Sequence, residues 1–454
     1  MKTMGEAFER NIRLAVVGPQ DSVELIIRVG SEGYPALTLV PMIYEDASEA
    51  AELVLRPSAD VDAWLFSGIA PYSYARSSGV TDKTFLYVPH TGPSLYRVLL
   101  QAVYRDKRDI SAISFDSFRL QEISETLQDS GIPLPVIEMY PGRELSAKDI
   151  TEWHYDLWQR GKVKFSITCF LATFKSLSKR RVPCYRIWPT RDAIRTSFDM
   201  AIRMVEGQRY KGSQIAVQHI AIDNFEEIQG RNSSAYTAKR HDLALYRLLL
   251  DYGEAINGTI VRGEGRYTVY STRGSIEDFT AGLQSMPVID ALKRELTITV
   301  SGGIGFGSTA YEADRNAHVA LQLSAKAGAG NWTVVTDDGK VVGPLGSPTG
   351  LRYSLRSTDA LCRKWCRHLQ VSATTVQRLW SVLDKLRGKP ITAEELSRYL
   401  AINERSGRRL LKSCVKARIA RIVGEEAPTR GRPSKLYRIE GTPVSSLRVR
   451  SSKT

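Results

Sequence analysis

Apolar and polar positions alternate along this chain between short apolar runs and stretches of helical period. IRLAVVG at 12–18 is a continuous apolar run, the pattern of a parallel strand covered on both faces. Pro19, Gln20 and Asp21 turn it into the amphipathic stretch SVELIIRVGSEG. LTLVPMIY, DAWLFSG and TFLYVP repeat the strand pattern, with EDASEAAELVLR and HTGPSLYRVLLQAVY as helices. A similar set follows: LPVIEMY, a helix at about 147–159, KFSITCF, a helix around 171–179, then VPCYRIWPTRDAIRTSFDMAIRM as strand, proline break and helix. This alternation predicts doubly wound α/β sheets in two lobes over residues 10–210.

The order changes after that. SQIAVQHIAIDNF is a strand ending at Asp223, and a helix follows over roughly 236–252. EAINGTIVRGEGRYTVYS reads as a hairpin, with a helix from about Ser275. TITVSGGIGFGSTAYEADRNAHVALQLSAKAG predicts a strand, a glycine-rich turn at 302–307 and a long helix, before a last strand at 332–336. An α+β middle domain over 211–350 is expected. In 374–386, Val376, Leu379, Val382, Leu383 and Leu386 lie at helical spacing, and Gly388 and Pro390 stop that helix. Thr392 with Glu395 is a capping box opening AEELSRYLA. Asn403 caps ERSGRRLLKSCVKAR, with Leu410, Leu411 and Val415 inward. IARIVGEE and LYRIEG are strands around the basic loop APTRGRPSK. Two short helices joined by a tight turn, then a hairpin, predict a winged helix-turn-helix over 360–441, with 442–454 a flexible tail.

Charge sharpens the reading. The 454 residues suit two to four domains and carry a net charge of +14. Residues 360–454 hold 22 basic and 7 acidic side chains, a net of +15, so the rest of the chain sums to −1. A local cationic excess fits nucleic acid or an anionic membrane surface, and the helix-turn-helix pattern selects double-stranded DNA. The candidate contacts are Arg405, Arg408, Arg409, Lys412, Lys416, Arg430, Arg432 and Lys435. The chain shows no apolar run of membrane-spanning length and no secretory signal, and its five cysteines are scattered. A cytoplasmic protein without membrane contact is expected. Cys362, Cys366 and His368 have a spacing conceivable for a metal. Two thiols on one helix is the favoured reading, because no second ligand pair follows.

The C-terminal order of helices, and RGRPSKLYRI above all, closely resembles the winged helix-turn-helix domains of bacterial transcription regulators. That resemblance implies a DNA partner and, by default, a homodimer. The stretch GGIGFGSTAYEADRNAHVAL resembles the palm-like fold of GGDEF diguanylate cyclases, class III nucleotide cyclases and an archaeal-type GTP cyclohydrolase. It implies a nucleotide with Mg²⁺, held by paired carboxylates, with Asp223 at the first position. Where that family's hairpin reads Gly-Gly-Asp-Glu-Phe, this chain reads Gly263-Glu264-Gly265-Arg266-Tyr267. Glu264 comes one residue early, and Arg266 sets a cation where an acid belongs. The expectation is a degenerate domain with residual nucleotide or metal contacts at Asp223 and Glu264 and no catalytic residue.

Residues 10–210, through Ile-Trp-Pro-Thr and Ala-Ile at 187–194, resemble the effector-sensing domain of propionate-catabolism-type activators, and more loosely periplasmic binding proteins. Such sheets bind ligands at the carboxyl ends of their strands. Gly18, Ser67, Gly68, His90, Thr91, Gly92, Ser94 and Thr168 fall there, either as contacts to a small anionic or polar effector or as ordinary helix caps. The sequence therefore predicts an α/β multidomain chain: a two-lobed doubly wound sensor, a palm-like middle domain and a winged helix-turn-helix. The expected function is ligand-responsive transcription regulation. The alternative is a nucleotide-processing enzyme, a cyclase or GTP cyclohydrolase, fused to a DNA-binding domain.

Overall fold

The apolar runs near the N-terminus form the inner strands of two four-stranded parallel sheets. A computed structural model describes residues 11–56, 61–80, 83–142, 146–230, 235–263, 265–296, 298–355, 359–426 and 434–440. The chain divides into two units, Met1–Arg209 and Tyr210–Thr454. It is a mixed α/β multidomain structure. Among the described residues no helix is long and apolar enough to cross a membrane.

In the first unit, one lobe contains β1 (Ile12–Gly18), α1 (Gln20–Gly33), β2 (Leu37–Ile43), α2 (Ala50–Leu55), β3 (Ala63–Phe66), α3 (Ile69–Ser77) and β4 (Phe85–Tyr87). After it come α4 (Gly92–Leu100), β5 (Ala112–Phe115), α5 (Leu120–Asp129), β6 (Val136–Met139), α6 (Ala147–Gln159), β7 (Phe165–Thr168), α7 (Leu171–Lys179), β8 (Cys184–Arg186) and α8 (Arg191–Gly212). The sheets run β2-β1-β3-β4 and β6-β5-β7-β8, the same order twice. Both faces of the first sheet are covered. Leu14, Val16 and Leu65 pack with Val23 and Ile26 of α1 and with Ile194 and Phe198 of α8. Ala15, Val17, Trp64 and Phe66 pack on the other side with Ala50, Leu53 and Ala70. That is why these strands read as unbroken apolar runs.

Two helices cross between the lobes. Leu95, Val98 and Leu99 of α4 belong to the second lobe's core, with Ile113, Phe115 and Phe165. Helix α8 returns to the first. The hydrophobic pattern does not predict α3, β5 or α5. Strand β5, AISF, is four residues long, and its Ser114 is fully buried, so it carries little apolar signal.

The second unit opens with β9 (Ile215–Ile222), α9 (Phe225–Gly230), α10 (Ala235–Ala255), β10 (Thr259–Arg262), β11 (Arg266–Thr272), α11 (Arg273–Phe279), α12 (Pro287–Glu295), β12 (Val300–Gly307), α13 (Ala310–Ala327), β13 (Trp332–Val335), β14 (Lys340–Gly343) and β15 (Leu351–Ser354). Its seven-stranded sheet runs β10-β11-β9-β12-β13-β14-β15. The expected glycine-rich turn at 302–307 is instead strand. Every residue of β12 is buried, and the chain turns only at Ser308, before the Thr309 cap. A Cβ on Gly303 would lie 2.1 Å from the Leu321 nitrogen, and one on Gly305 2.1 Å from the Ala313 carbonyl. The glycines let α13 lie directly on the sheet.

The chain ends in α14 (Ala360–Leu369), α15 (Ala373–Leu386), α16 (Ala393–Leu400), α17 (Glu404–Lys416), β16 (Ala420–Glu426) and β17 (Ser434–Ile439). Their core includes Trp365, Leu379, Leu396, Leu411 and Tyr437, and also Leu351 of β15. The last strand of the large sheet thus extends beyond residue 350 and packs into the helical core, and the Arg352 amide donates to Ser381 Oγ at 2.9 Å.

Candidate ligand cleft and nucleic-acid interface

The carboxyl ends of β1 and β3 face those of β7 and β8 across a narrow cleft with an internal volume of about 50 Å³. Ser67, Gly68 and His90 line it, together with Ser22, Tyr44, Cys169, Phe170, Arg186 and Pro189. Gly18 lies beneath this wall; a Cβ there would meet the Ser67 side chain at 2.7 Å. Thr91, Gly92, Ser94 and Thr168 stand back from the lining. Thr91 is the N-terminal residue before α4, Gly92 adjoins Thr126, Ser94 is fully buried, and the Thr168 hydroxyl accepts the Phe170 N–H at 3.1 Å.

Arg186 is the residue that sequence reasoning missed. Its side chain is only 4% exposed. It pairs with Asp21, donates to Ser22 Oγ at 3.2 Å and stacks on Trp188. Its Nε has no partner, and burial lowers the guanidinium to about 10. The buried His90 Nδ1 is also unpartnered, and burial pushes that imidazole down to about 4. Burial also raises the Tyr44 phenol and the Cys169 thiol, keeping both neutral. A buried polar atom without a partner costs roughly 1–3 kcal/mol, so two such atoms at one cleft define a place where a ligand would recover that energy. Behind the cleft, the fully buried His154 bonds Ser114 Oγ at 2.8 Å and Asp116 at 3.3 Å. Asp116 in turn accepts the Cys169 N–H at 3.2 Å. Arg186 ends strand β8, ahead of the proline break at Pro189, and the pairing of β7 with β8 carries it to the cleft.

In the middle domain, Asp223 lies just beyond β9. Its Oδ2 accepts the Gly330 N–H at 2.8 Å. Arg266 is the first residue of β11, opposite Ala221 on β9. Phe225 lies over Gly265, where a Cβ would come within 2.6 Å of its ring. Glu264 lies outside the described residues. Two Mg²⁺ ions need shared acids to offset their repulsion, and one oxygen of Asp223 is already engaged by an amide. The helix residues of the glycine-rich stretch have structural partners: Glu312 accepts the Ser308 N–H at 3.0 Å, and Asn316 donates to the Phe306 carbonyl at 2.8 Å.

At the C-terminus, Thr392 and Glu395 form the reciprocal capping box, and Asn403 accepts the Ser406 N–H at 2.8 Å. Gly407, Leu410, Leu411 and Cys414 form the buried face of α17. At roughly 100° per residue, Arg405, Arg409, Lys412 and Lys416 lie on the opposite face, and all four are exposed. Arg408 lies to one side, paired with Glu404 at 2.6 Å. It shares a groove with Lys412 of the same helix and with Ile422, Lys435 and Tyr437 of the hairpin. Arg430 and Arg432 lie outside the described residues. Cys362 is buried in the helical core, Cys366 is partly buried beside it, and His368 is exposed.

No family model matches the chain, and no curated protein does. Solved structures give partial likenesses. An NtrC family transcriptional regulator from Clostridium acetobutylicum is 13% identical over 44% of this chain and 99% of its own, with a TM-score of 0.34. The active GGEEF domain of a diguanylate cyclase from Vibrio cholerae is 13% identical over 29% of this chain and 86% of its own, with a TM-score of 0.22. An ABC domain in complex with L-Trp from Streptococcus pneumonia is 14% identical over 43% and 85%, with a TM-score of 0.29. Likeness at this level transfers no activity, ligand or partner.

Proposed function

We propose that this chain is a ligand-responsive, DNA-binding transcription regulator. The observation that carries the reading is α17. It is a capped second helix of a helix-turn-helix whose apolar face is buried and whose opposite face is a row of four exposed cations. That arrangement suits a helix laid in the major groove, with the hairpin gripping the flanking backbone. The partner is duplex DNA, read as two half-sites by a homodimer. The cleft of the first unit takes a small anionic or polar effector, held by Arg186, Ser67 and His90. Regulation then requires only that the effector bind one conformation of the two lobes better than the other. The middle domain acts as a scaffold without cyclase or cyclohydrolase chemistry.

The test is duplex binding by the full chain across a salt series. Phosphate contacts from Arg405, Arg409, Lys412, Lys416 and Lys435 give a slope of log K against log salt near −4.5 per chain, at about −0.9 per contact. Each alanine substitution at a phosphate contact lowers the slope by about 1, while a base-contacting arginine costs roughly 1–3 kcal/mol and relaxes sequence preference. A flat salt response refutes the proposal.

A further inference from the structure

The sheet and helix α13 bring together three side chains that the reading above leaves unused. His219 lies in the middle of β9, roughly 13 Å along the strand from Asp223. Asp314 and His318 are one turn apart on α13. His219 Nε2 lies 3.0 Å from Asp314 Oδ1, and His318 Nδ1 lies 3.5 Å from Asp314 Oδ2. All three ligand atoms fall within 4.8 Å of one another. The cause is the glycine strand. His219 pairs across the sheet with Gly303, and the missing Cβ at Gly303 and Gly305 lets α13 approach closely enough to set its side chains over β9.

We propose that His219, Asp314 and His318 form a binding site for a first-row divalent transition ion. Tetrahedral bonds of about 2.0–2.2 Å put neighbouring ligand atoms about 3.4 Å apart, within reach of three atoms that already lie within 4.8 Å of one another. Two imidazoles and one carboxylate suit Zn²⁺, Fe²⁺ or Ni²⁺, and not Mg²⁺, which prefers an all-oxygen shell. The ring of His219 is already oriented: its Nδ1 faces Thr268 Oγ1 at 3.2 Å, leaving Nε2 for the ion. Asp314 and His318 are 46% and 61% exposed, which gives the ion a way in and leaves a coordination position for solvent or a further ligand. His318 Nδ1 also lies 3.2 Å from the Asp314 carbonyl, and rotation of the exposed ring exchanges that bond for the ion.

The test uses full-length protein stripped with a chelator and titrated with Zn²⁺ and Co²⁺. One ion per chain is expected, with a Co²⁺ spectrum free of thiolate charge-transfer bands, which separates this site from Cys362 and Cys366. Thr268→Val weakens binding by about 10- to 100-fold, the range for removing the partner that orients a ligand. Loss of a ligand in His318→Ala or Asp314→Asn exceeds that range. Because both side chains are exposed, metal-free melting of these variants matches the parent. Absence of binding, thiolate bands in the cobalt spectrum, or parent-like affinity in His318→Ala overturns the proposal.

Discussion

Gly407 sets the distance between α16 and α17, and replacing it tests how α17 is held. A Cβ there would lie 2.0 Å from Ser397 Oγ and 2.9 Å from the Ala393 carbonyl of α16. Ordinary contact begins near 3.4 Å, so the serine must move by more than an ångström and the backbone by about half of one. Ser397 does not swing away freely, because its hydroxyl donates to the Ala393 carbonyl at 2.7 Å. Overpacking of this kind costs roughly 1–3 kcal/mol. An approach as close as 2.0 Å puts the cost in the upper half of that range, and alanine regains about 1 kcal/mol of helix propensity over glycine, so Gly407→Ala is expected to lose a net ~1–2 kcal/mol. Ser397→Ala removes the nearest obstacle and by itself costs at most about 1 kcal/mol for one hydroxyl bond. The double variant should therefore recover most of the loss, with a coupling energy of about 1 kcal/mol or more. Urea unfolding of the parent, both single variants and the double variant reads this cycle directly. Duplex affinity, measured in parallel, should fall in Gly407→Ala and return in the double variant. A Gly407→Ala protein as stable as the parent, or strictly additive variants, would refute the argument that this contact fixes the helix pair.

Arg186→Met should abolish the thermal shift given by any anionic effector, where the parent gains about 2.7 kcal/mol at a hundredfold excess over Kd. A hit that survives both this change and Ser67→Trp binds elsewhere. His90 is neutral in the fold, with a proton affinity near 4 against the ordinary 6.5. Its stabilising effect is therefore complete above pH ~6.5 and is lost as pH falls towards 4, by up to about 3 kcal/mol. Across that window the parent should lose stability relative to His90→Phe as pH falls, read from denaturation midpoints, and parallel curves would contradict the assignment. Incubation with GTP or ATP and Mg²⁺ should yield neither a cyclic nor a ring-opened product. Product above background would overturn the silent middle domain.

Much of the local structure is written in the order of residues. The apolar runs of β1 and β3 read as strands covered on both faces because neighbouring residues pack into two different cores. The Thr392–Glu395 box and the Asn403 cap are legible because caps are local, three-residue chemistry. The helix face carrying Arg405, Arg409, Lys412 and Lys416 follows from helical period alone once Leu410 and Leu411 are inward. Other features had no local signal. Strand β5 hid behind its buried Ser114, whose partner His154 is 40 residues away. The glycines of β12 looked like a turn, since the sequence does not show that a helix lies against them. The cleft is built by residues about 165 apart, with Arg186 beside Asp21, and Asp314 reaches His219 across 95 positions. Whether Arg186 Nε or His90 Nδ1 is buried without a partner depends on every element packed around it. Spacing along the chain determines which face of an element a side chain occupies; only the packing of elements decides which faces meet, and so which polar groups are left for a ligand.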